Sequence, residues 1–175
     1  MYKASYFGYF LVFMLLFGCN SCNESKDISY DPDLVKKQLE QSNKRNALRE
    51  KKEIHDYIKK NNLVTTSTGT GLEYHLREQG QGPTGKLDQM ATIHYSIYLL
   101  NDTLLYTSLD RDPPRFKIGQ APVETGLHEA VQLLRVGDKA ALFLPSHLAH
   151  GAFGDQKKVP PQTPLRYEIE LIRLE

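Results

Sequence analysis

The chain has 175 residues, 40% of them hydrophobic, and its 22 Lys and Arg nearly balance its 21 Asp and Glu, for a formal net charge of +1. A balance this even gives no indication of nucleic-acid binding, which favours a strongly basic surface. The length allows one domain with a hydrophobic core, plus an appendage.

The N-terminus has the features of an export signal. Lys3 is the one charge in residues 1–18, and residues 6–17 form a nearly continuous apolar run that is too short to span a bilayer. Gly18 followed by Cys19 resembles the lipobox of bacterial lipoproteins, in which the cysteine takes the lipid and becomes the new N-terminus. We predict a lipoprotein signal peptide over residues 1–18 and lipidation of Cys19. An ordinary secretory signal or a poor membrane helix is the alternative.

Metal, cofactor and nucleophile motifs are missing from the sequence. Cys19 and Cys22 form a C-x-x-C pair, but no second ligand pair or βαβ pattern accompanies them, which argues against a zinc or redox site. His147 and His150 are three residues apart without a thiol or a defined carboxylate partner. There is also no G-x-S-x-G, H-E-x-x-H, Walker A or dinucleotide-binding motif. We therefore predict no metal and no cofactor.

A polar tether and a helical stalk follow the signal. Residues 19–32 hold too few apolar side chains to fold alone. Residues 33–62 lack Gly and Pro, and the flanking Asp31-Pro32 and Asn61-Asn62 suit the start and end of one or two helices. The helical stripe is thin and consists of Val35, Leu39, Leu48, Ile54 and Ile58.

Two interpretations of that stripe stay open. The stalk is either a solvated spacer or a packing surface, and the packing partner is either a second copy or the globular domain. Homodimerisation through residues 33–62 is therefore one of the predictions.

The compact domain is predicted to begin after a flexible Thr- and Gly-rich linker, residues 63–71, and to span residues 72–175. One helix is expected, with Thr125 as its cap, Leu127 in its buried stripe and Gly137 at its end. Short connections and a single helix favour the α+β class, an antiparallel sheet packed on one face by that helix. Candidate strands cover residues 72–77, 90–100, 104–108, 115–118, 139–144 and 165–174.

Residues 72–175 contain several short motifs in a fixed order. The motifs are Ala91-Thr92-Ile93-His94-Tyr95, Val123-Glu124-Thr125-Gly126-Leu127, Arg135-Val136-Gly137-Asp138, the run from Leu144-Pro145 to His150-Gly151, Phe153-Gly154, Val159-Pro160-Pro161 and Leu165-Arg166-Tyr167-Glu168-Ile169-Glu170-Leu171. Taken in this order, they resemble the corresponding runs of FKBP-type peptidyl-prolyl isomerases. The resemblance implies an FKBP-like antiparallel sheet wrapped on one short helix. It also implies isomerisation of X-Pro bonds in proline-containing polypeptides.

The resemblance also implies a proline-binding pocket made of ten residues. Aromatic and aliphatic side chains would favour the twisted, less charge-separated amide, so that no nucleophile is needed. Core packing is the alternative role of each apolar member. The ten positions are Tyr95, Tyr106, Thr107, Phe116, Val123, Glu124, Leu127, His150, Val159 and Tyr167.

Four of these residues depart from the family pattern. Thr107 stands where the family usually has Asp, Leu127 where it has Trp, His150 where it has Tyr, and Glu124 where it has an aliphatic residue. These departures from the family pattern therefore predict slow turnover and poor binding of immunosuppressant macrolides. Because an imidazole titrates near neutrality, the histidine at position 150 also predicts activity that depends on pH.

The export signal and the domain together predict an isomerase that assists folding of exported or envelope proteins. Two alternatives stay open: a membrane-anchored chaperone or proline-peptide-binding module, and a structural envelope subunit. Asn20 after Cys19 does not signal inner-membrane retention, which favours the outer membrane. The anchor and stalk further resemble FKBP-type lipoproteins of the Bacteroidetes, including those tied to gliding motility.

Overall fold

One antiparallel sheet organises the globular part of the chain. The computed structural model describes residues 31–175, so the predicted signal peptide, the two cysteines and most of the tether lie outside the described residues. The neighbour order is β1-β2-β6-β7-β3-β4, and β5 pairs with β3. The strands are β1 (Thr66–Ser67), β2 (Glu73–Glu78), β3 (Met90–Leu99), β4 (Leu104–Thr107), β5 (Arg115–Lys117), β6 (Lys139–Leu144) and β7 (Leu165–Leu174).

The inner face of the sheet carries the main core. Side chains alternate between the two faces of a strand, so Ile93, Tyr95 and Ile97 of β3 point to the same side. Helix α2 (Thr125–Leu133) packs on that side through Leu127, Ala130 and Val131. The α+β class is therefore confirmed.

A second, longer helix precedes the sheet. Helix α1 (Pro32–Lys60) is continuous over 29 residues. The Asp31 carboxylate accepts the N–H of Asp33 at 3.0 Å, which caps the helix, with Pro32 in the first turn. Asn62 adopts a positive φ of 52°, and Leu63 N–H bonds back to Ile58 O at 3.1 Å, which ends the helix.

The second half of α1 packs on the outer face of the sheet. Ile54 and Ile58 are buried against Ala141 and Phe143 of β6, and Glu50 is also buried. The interpretation of the stalk as a solvated spacer is therefore wrong for this half of the helix. The alternative that the stalk packs against the globular domain is confirmed for this half.

Three local predictions also differ from the structure. The linker of residues 63–71 contains β1, since Thr66 pairs with Tyr74 across the sheet edge. Glu124, not Thr125, occupies the N-cap of α2, and α2 ends at Leu133, before Gly137.

Within residues 31–175, no helix is both long enough and apolar enough to cross a membrane.

Candidate active site

A cavity of about 180 Å³ opens between the inner face of the sheet and the start of α2, and we name it the inner cavity. Six of the ten predicted site residues line it. They come from separate stretches of chain, so the fold brings them together. They are Tyr95, Phe116, Val123, Glu124, Leu127 and Tyr167.

The strands and the helix each place their side chains in this cavity by simple periodicity. Tyr95 lies opposite Ile169, and Tyr167 lies opposite Ile97, in the antiparallel pairing of β3 with β7. Leu127 sits in the first turn of α2, 5% exposed, and forms part of the cavity lining. The wall of the cavity is consequently apolar and aromatic, apart from the Arg115 and Glu124 side chains.

Glu124 is the acidic group of the inner cavity. The hydroxyl of the fully buried Tyr167 donates to Glu124 Oε1 at 2.9 Å. His150 Nε2 lies 3.1 Å from the same oxygen, outside the angle for a hydrogen bond, so the two side chains attract each other mainly when the imidazole is protonated. Burial first, and then the neighbouring Glu124 carboxylate, raise the pKa of Tyr167 well above its usual value. Tyr167 therefore stays a hydrogen-bond donor at physiological pH.

A shallower recess of about 300 Å³ adjoins the inner cavity, and we name it the open recess. The two share Tyr95, Ile97 and Glu124, so together they form one cleft. Tyr106 and His150, two further predicted residues, line the open recess. The Tyr95 hydroxyl, at the boundary, accepts a hydrogen bond of 3.0 Å from Arg111.

Asp155 fixes the outer wall of the open recess. Its Oδ1 accepts the backbone N–H groups of Lys157 and Lys158 at 2.9 Å and of Val159 at 2.7 Å, and its Oδ2 accepts the hydroxyl of Tyr106. Desolvation opposes ionisation of Asp155. The Tyr106 bond and the three backbone bonds outweigh it and hold the pKa of Asp155 below its usual value. The Asp155 carboxylate thus faces the open recess from a loop.

Two of the ten predicted residues do not line the cleft. Thr107 Oγ1 bonds to Ser96 Oγ at 2.8 Å, beside the pocket wall. Val159 is 3% exposed and belongs to the hydrophobic core. The structure therefore places eight predicted residues around the cleft and these two behind it.

Further residues line the cleft that the sequence did not single out. Ile93 and Ile97 follow from the alternation along β3, because they share the face of Tyr95. Asp155 follows Gly154, and an Asp in a loop is typical of an Asx turn, but the sequence does not show that Tyr106 reaches it. The others are Pro114, Arg115 and Lys157.

The arrangement suits conformational catalysis on an apolar ring. Phe116, Val123 and Leu127 offer an apolar surface next to few polar groups. Within residues 31–175, Glu124 N–H donates to no protein acceptor, which leaves it free for a ligand carbonyl. No cluster of three metal-ligating side chains occurs in this described part of the chain.

Comparisons with known proteins point to one family. The family model described as FKBP-type peptidyl-prolyl cis-trans isomerase matches residues 82–172. The FKBP-type peptidyl-prolyl cis-trans isomerase FkpA of Aeromonas hydrophila is 36% identical over 110 residues, 62% of this chain and 40% of that protein. Peptidyl-prolyl cis-trans isomerase FKBP1A of Xenopus laevis is 35% identical over 107 residues, 60% of this chain and 99% of that protein.

A solved structure shows the same fold. The crystal structure of a peptidyl-prolyl cis-trans isomerase from Pseudomonas syringae pv. tomato strain DC3000 superposes with a TM-score of 0.65 at 25% identity, over 75% of this chain and 95% of that one. The chain spans 40% of the FkpA protein of Aeromonas hydrophila and 39% of a probable FkpA protein of Neisseria meningitidis serogroup B. Taken with the cleft, the matches over residues 82–172 show that the chain belongs to the FKBP-type peptidyl-prolyl cis-trans isomerase family.

Proposed function

We propose that the chain catalyses cis-trans isomerisation of X-Pro bonds in polypeptides, with the inner cavity as the proline site. The observation that carries this proposal is the apolar ring of Tyr95, Phe116, Val123 and Leu127 around a cavity of about 180 Å³. Relatives with the same domain are named as peptidyl-prolyl isomerases.

The cavity lowers the barrier by changing the solvent of the amide. The planar amide is charge-separated and well solvated by water, and rotation about it costs about 18–20 kcal/mol. An apolar wall removes that solvation and favours the twisted amide. The free Glu124 N–H would fix the substrate carbonyl, and Tyr167 would hold the Glu124 side chain in place.

The direct test is exchange NMR on a short peptide with one X-Pro bond, with the full chain present in catalytic amounts. The cis and trans signals should exchange faster than in free peptide. Tyr95→Ala should lose most of this acceleration, because it opens the wall of the inner cavity. His94→Ala is the matched control, since His94 is on the same strand but does not line the cleft. Equal activity of the two variants would contradict the proposed site.

Slow turnover belongs to the same proposal. Leu127 gives the floor a smaller, non-aromatic surface than the Trp usual in the family, and Glu124 brings a carboxylate oxygen to 2.9 Å from the Tyr167 hydroxyl on that floor. Both features reduce the fit of an apolar proline ring. The full chain should therefore show a kcat/KM well below that of a family member with the usual residues, and weak binding of macrolides.

We also propose that the protein acts outside the cytoplasm, on exported or envelope proteins, from a lipid anchor on Cys19 and preferably at the outer membrane. The supports are the apolar run of residues 6–17 and the Gly18-Cys19 pair. Incorporation of radiolabelled palmitate should occur in the native chain and disappear in Cys19→Ala, whereas Cys22→Ala should keep it. Absence of the palmitate label from both the native chain and Cys22→Ala would contradict the lipid anchor.

A second candidate function is binding of proline-containing chains without turnover. The carboxylate of Glu124 inside the cavity favours it, because a charged floor can hold a ligand without favouring the twisted amide. Saturable peptide binding with no acceleration of exchange would support this candidate.

We also propose homodimerisation through residues 33–62, because Leu39 and Leu48 of α1 are exposed apolar side chains. A monomer at tens of micromolar in analytical ultracentrifugation would contradict it.

A further inference from the structure

A buried carboxylate on α1 reaches into the segment that forms the cleft. Glu50 is 2% exposed, and burial of an ionised group is unfavourable unless hydrogen bonds compensate it. Glu50 Oε2 accepts the N–H of Ser146 at 2.7 Å, and Oε1 accepts the Ser146 hydroxyl at 2.8 Å. Arg49 Nη2 lies 3.7 Å from Oε1. The carboxylate therefore accepts two hydrogen bonds from one residue of the globular domain and forms an ion pair with one residue of its own helix.

The residue beside Glu50 binds the far end of the same segment. Arg49 Nη2 donates to Gln162 O at 2.9 Å, and the Gln162 N–H donates to Gly151 O at 3.1 Å. Glu50 and Arg49 thus attach both ends of residues 146–162 to adjacent positions of α1. We name this pair of attachments the α1 clamp.

The clamped segment carries much of the open recess. His150, Asp155 and Lys157 all come from residues 146–162. Its regular structure is limited to two short 3₁₀ turns, Ser146–Leu148 and Gly151–Phe153. Connections of this kind lose much conformational entropy when they are ordered. Fixing both ends reduces the freedom of the three cleft residues between them.

We infer that Glu50 and Arg49 are positioning residues for the isomerase, because the α1 clamp holds the substrate-facing segment in its binding conformation. The inference rests on the proposed function. It assigns to α1 a role in the activity of the cleft, although no atom of Glu50 or Arg49 lines it.

The test compares variants of the full chain at a temperature well below every melting point. Glu50→Ala removes both acceptors, whereas Glu50→Gln keeps the volume and can bond to Ser146 with its amide oxygen and nitrogen. Tyr57→Phe is the matched control, because Tyr57 links the same helix to the Asp102 carboxylate at 2.7 Å, away from residues 146–162. Arg49→Met releases the other end of the segment and serves if Glu50→Ala does not fold.

Glu50→Ala should raise KM for an X-Pro peptide about fivefold or more, with kcat within about twofold. It should also speed amide hydrogen exchange selectively in residues 146–162. Glu50→Gln and Tyr57→Phe should leave both measurements near those of the native chain, and Arg49→Met should act like Glu50→Ala.

Two outcomes would overturn the inference. One is the same KM and the same exchange pattern in Glu50→Ala, or in Arg49→Met, as in Tyr57→Phe. The other is faster exchange spread evenly over the domain, which indicates a structural role alone. A native chain without isomerase activity would refute the proposed function instead, and the exchange pattern would still decide whether the clamp orders residues 146–162.

Discussion

The hydroxyl of Tyr167 donates a hydrogen bond of 2.9 Å to the Glu124 carboxylate on the floor of the cleft. The bond joins the last strand to the residue that precedes α2, and Tyr167 itself is fully buried. A buried bond to a charged acceptor leaves an uncompensated group when one partner is removed. The two residues are therefore expected to be energetically coupled.

A double-mutant cycle measures that coupling. Tyr167→Phe and Glu124→Ile should each destabilise the fold, by about 1–3 kcal/mol. The double variant should recover part of the loss, with an interaction of about 1.5 kcal/mol in urea unfolding. Tyr95→Phe is the control, because its hydroxyl pairs with Arg111, and it should add to Glu124→Ile without coupling. Strict additivity of the first pair would show that the bond does not contribute.

Asp155 should make stability depend on pH in the acid range. Its folded pKa is held below the usual 3.8, so its contribution is complete at neutral pH and is lost as the pH falls from about 4 toward that lower value. The stability difference between the native chain and Asp155→Asn should therefore be constant at neutral pH and shrink below about pH 4. Urea unfolding at pH 7, 4 and 3 measures it, with the exposed Asp110→Asn as control. A difference that grows toward pH 3 would contradict this assignment.

The floor of the inner cavity should limit the rate. Leu127→Trp should raise kcat/KM severalfold by restoring an aromatic floor, at a packing cost of about 1–3 kcal/mol. Thr107→Asp should change kcat/KM much less, because Thr107 lies behind the cleft and bonds to Ser96. The two variants are compared by exchange NMR on the same peptide. A larger gain from Thr107→Asp would show that the missing acidic residue, not the floor, limits turnover.

Because only part of α1 packs on the sheet, substitutions at different positions of this helix should lower the free energy of unfolding by different amounts. Ile54→Ala removes a buried side chain from the contact with β6 and should cost about 2–5 kcal/mol in urea unfolding. Leu48→Ala removes a side chain that is 61% exposed and should change stability by less than about 0.5 kcal/mol. Equal, small effects would mean that α1 does not stabilise the sheet.

The alternating strands and the ordered family motifs were enough to predict the class and most of the cleft. Local patterns determine which face of β3 carries Tyr95, and each of the six predicted strands is present with ends shifted by at most one residue. The short β1 was missed because Thr66 and Ser67 alone make too short a pattern.

Long-range polar contacts could not be predicted in the same way. Glu50 is an ordinary charged residue in its own helix, and it is buried only because Ser146, 96 positions later, supplies two donors. Tyr106 and Asp155 are 49 positions apart, and their hydrogen bond depends on the loop geometry around Gly154. Such pairs leave no periodic signal in the sequence.

The central claim is that the cleft accelerates rotation about X-Pro bonds in a folding protein. Its most direct test is the refolding of a protein whose slow phase is limited by one such bond, with catalytic amounts of the full chain and of His150→Tyr. We predict that the slow phase accelerates in proportion to the concentration of native chain, and more strongly with His150→Tyr. A slow phase unchanged by either protein, with unfolded chain still bound, would contradict catalysis and leave the cleft a binding site.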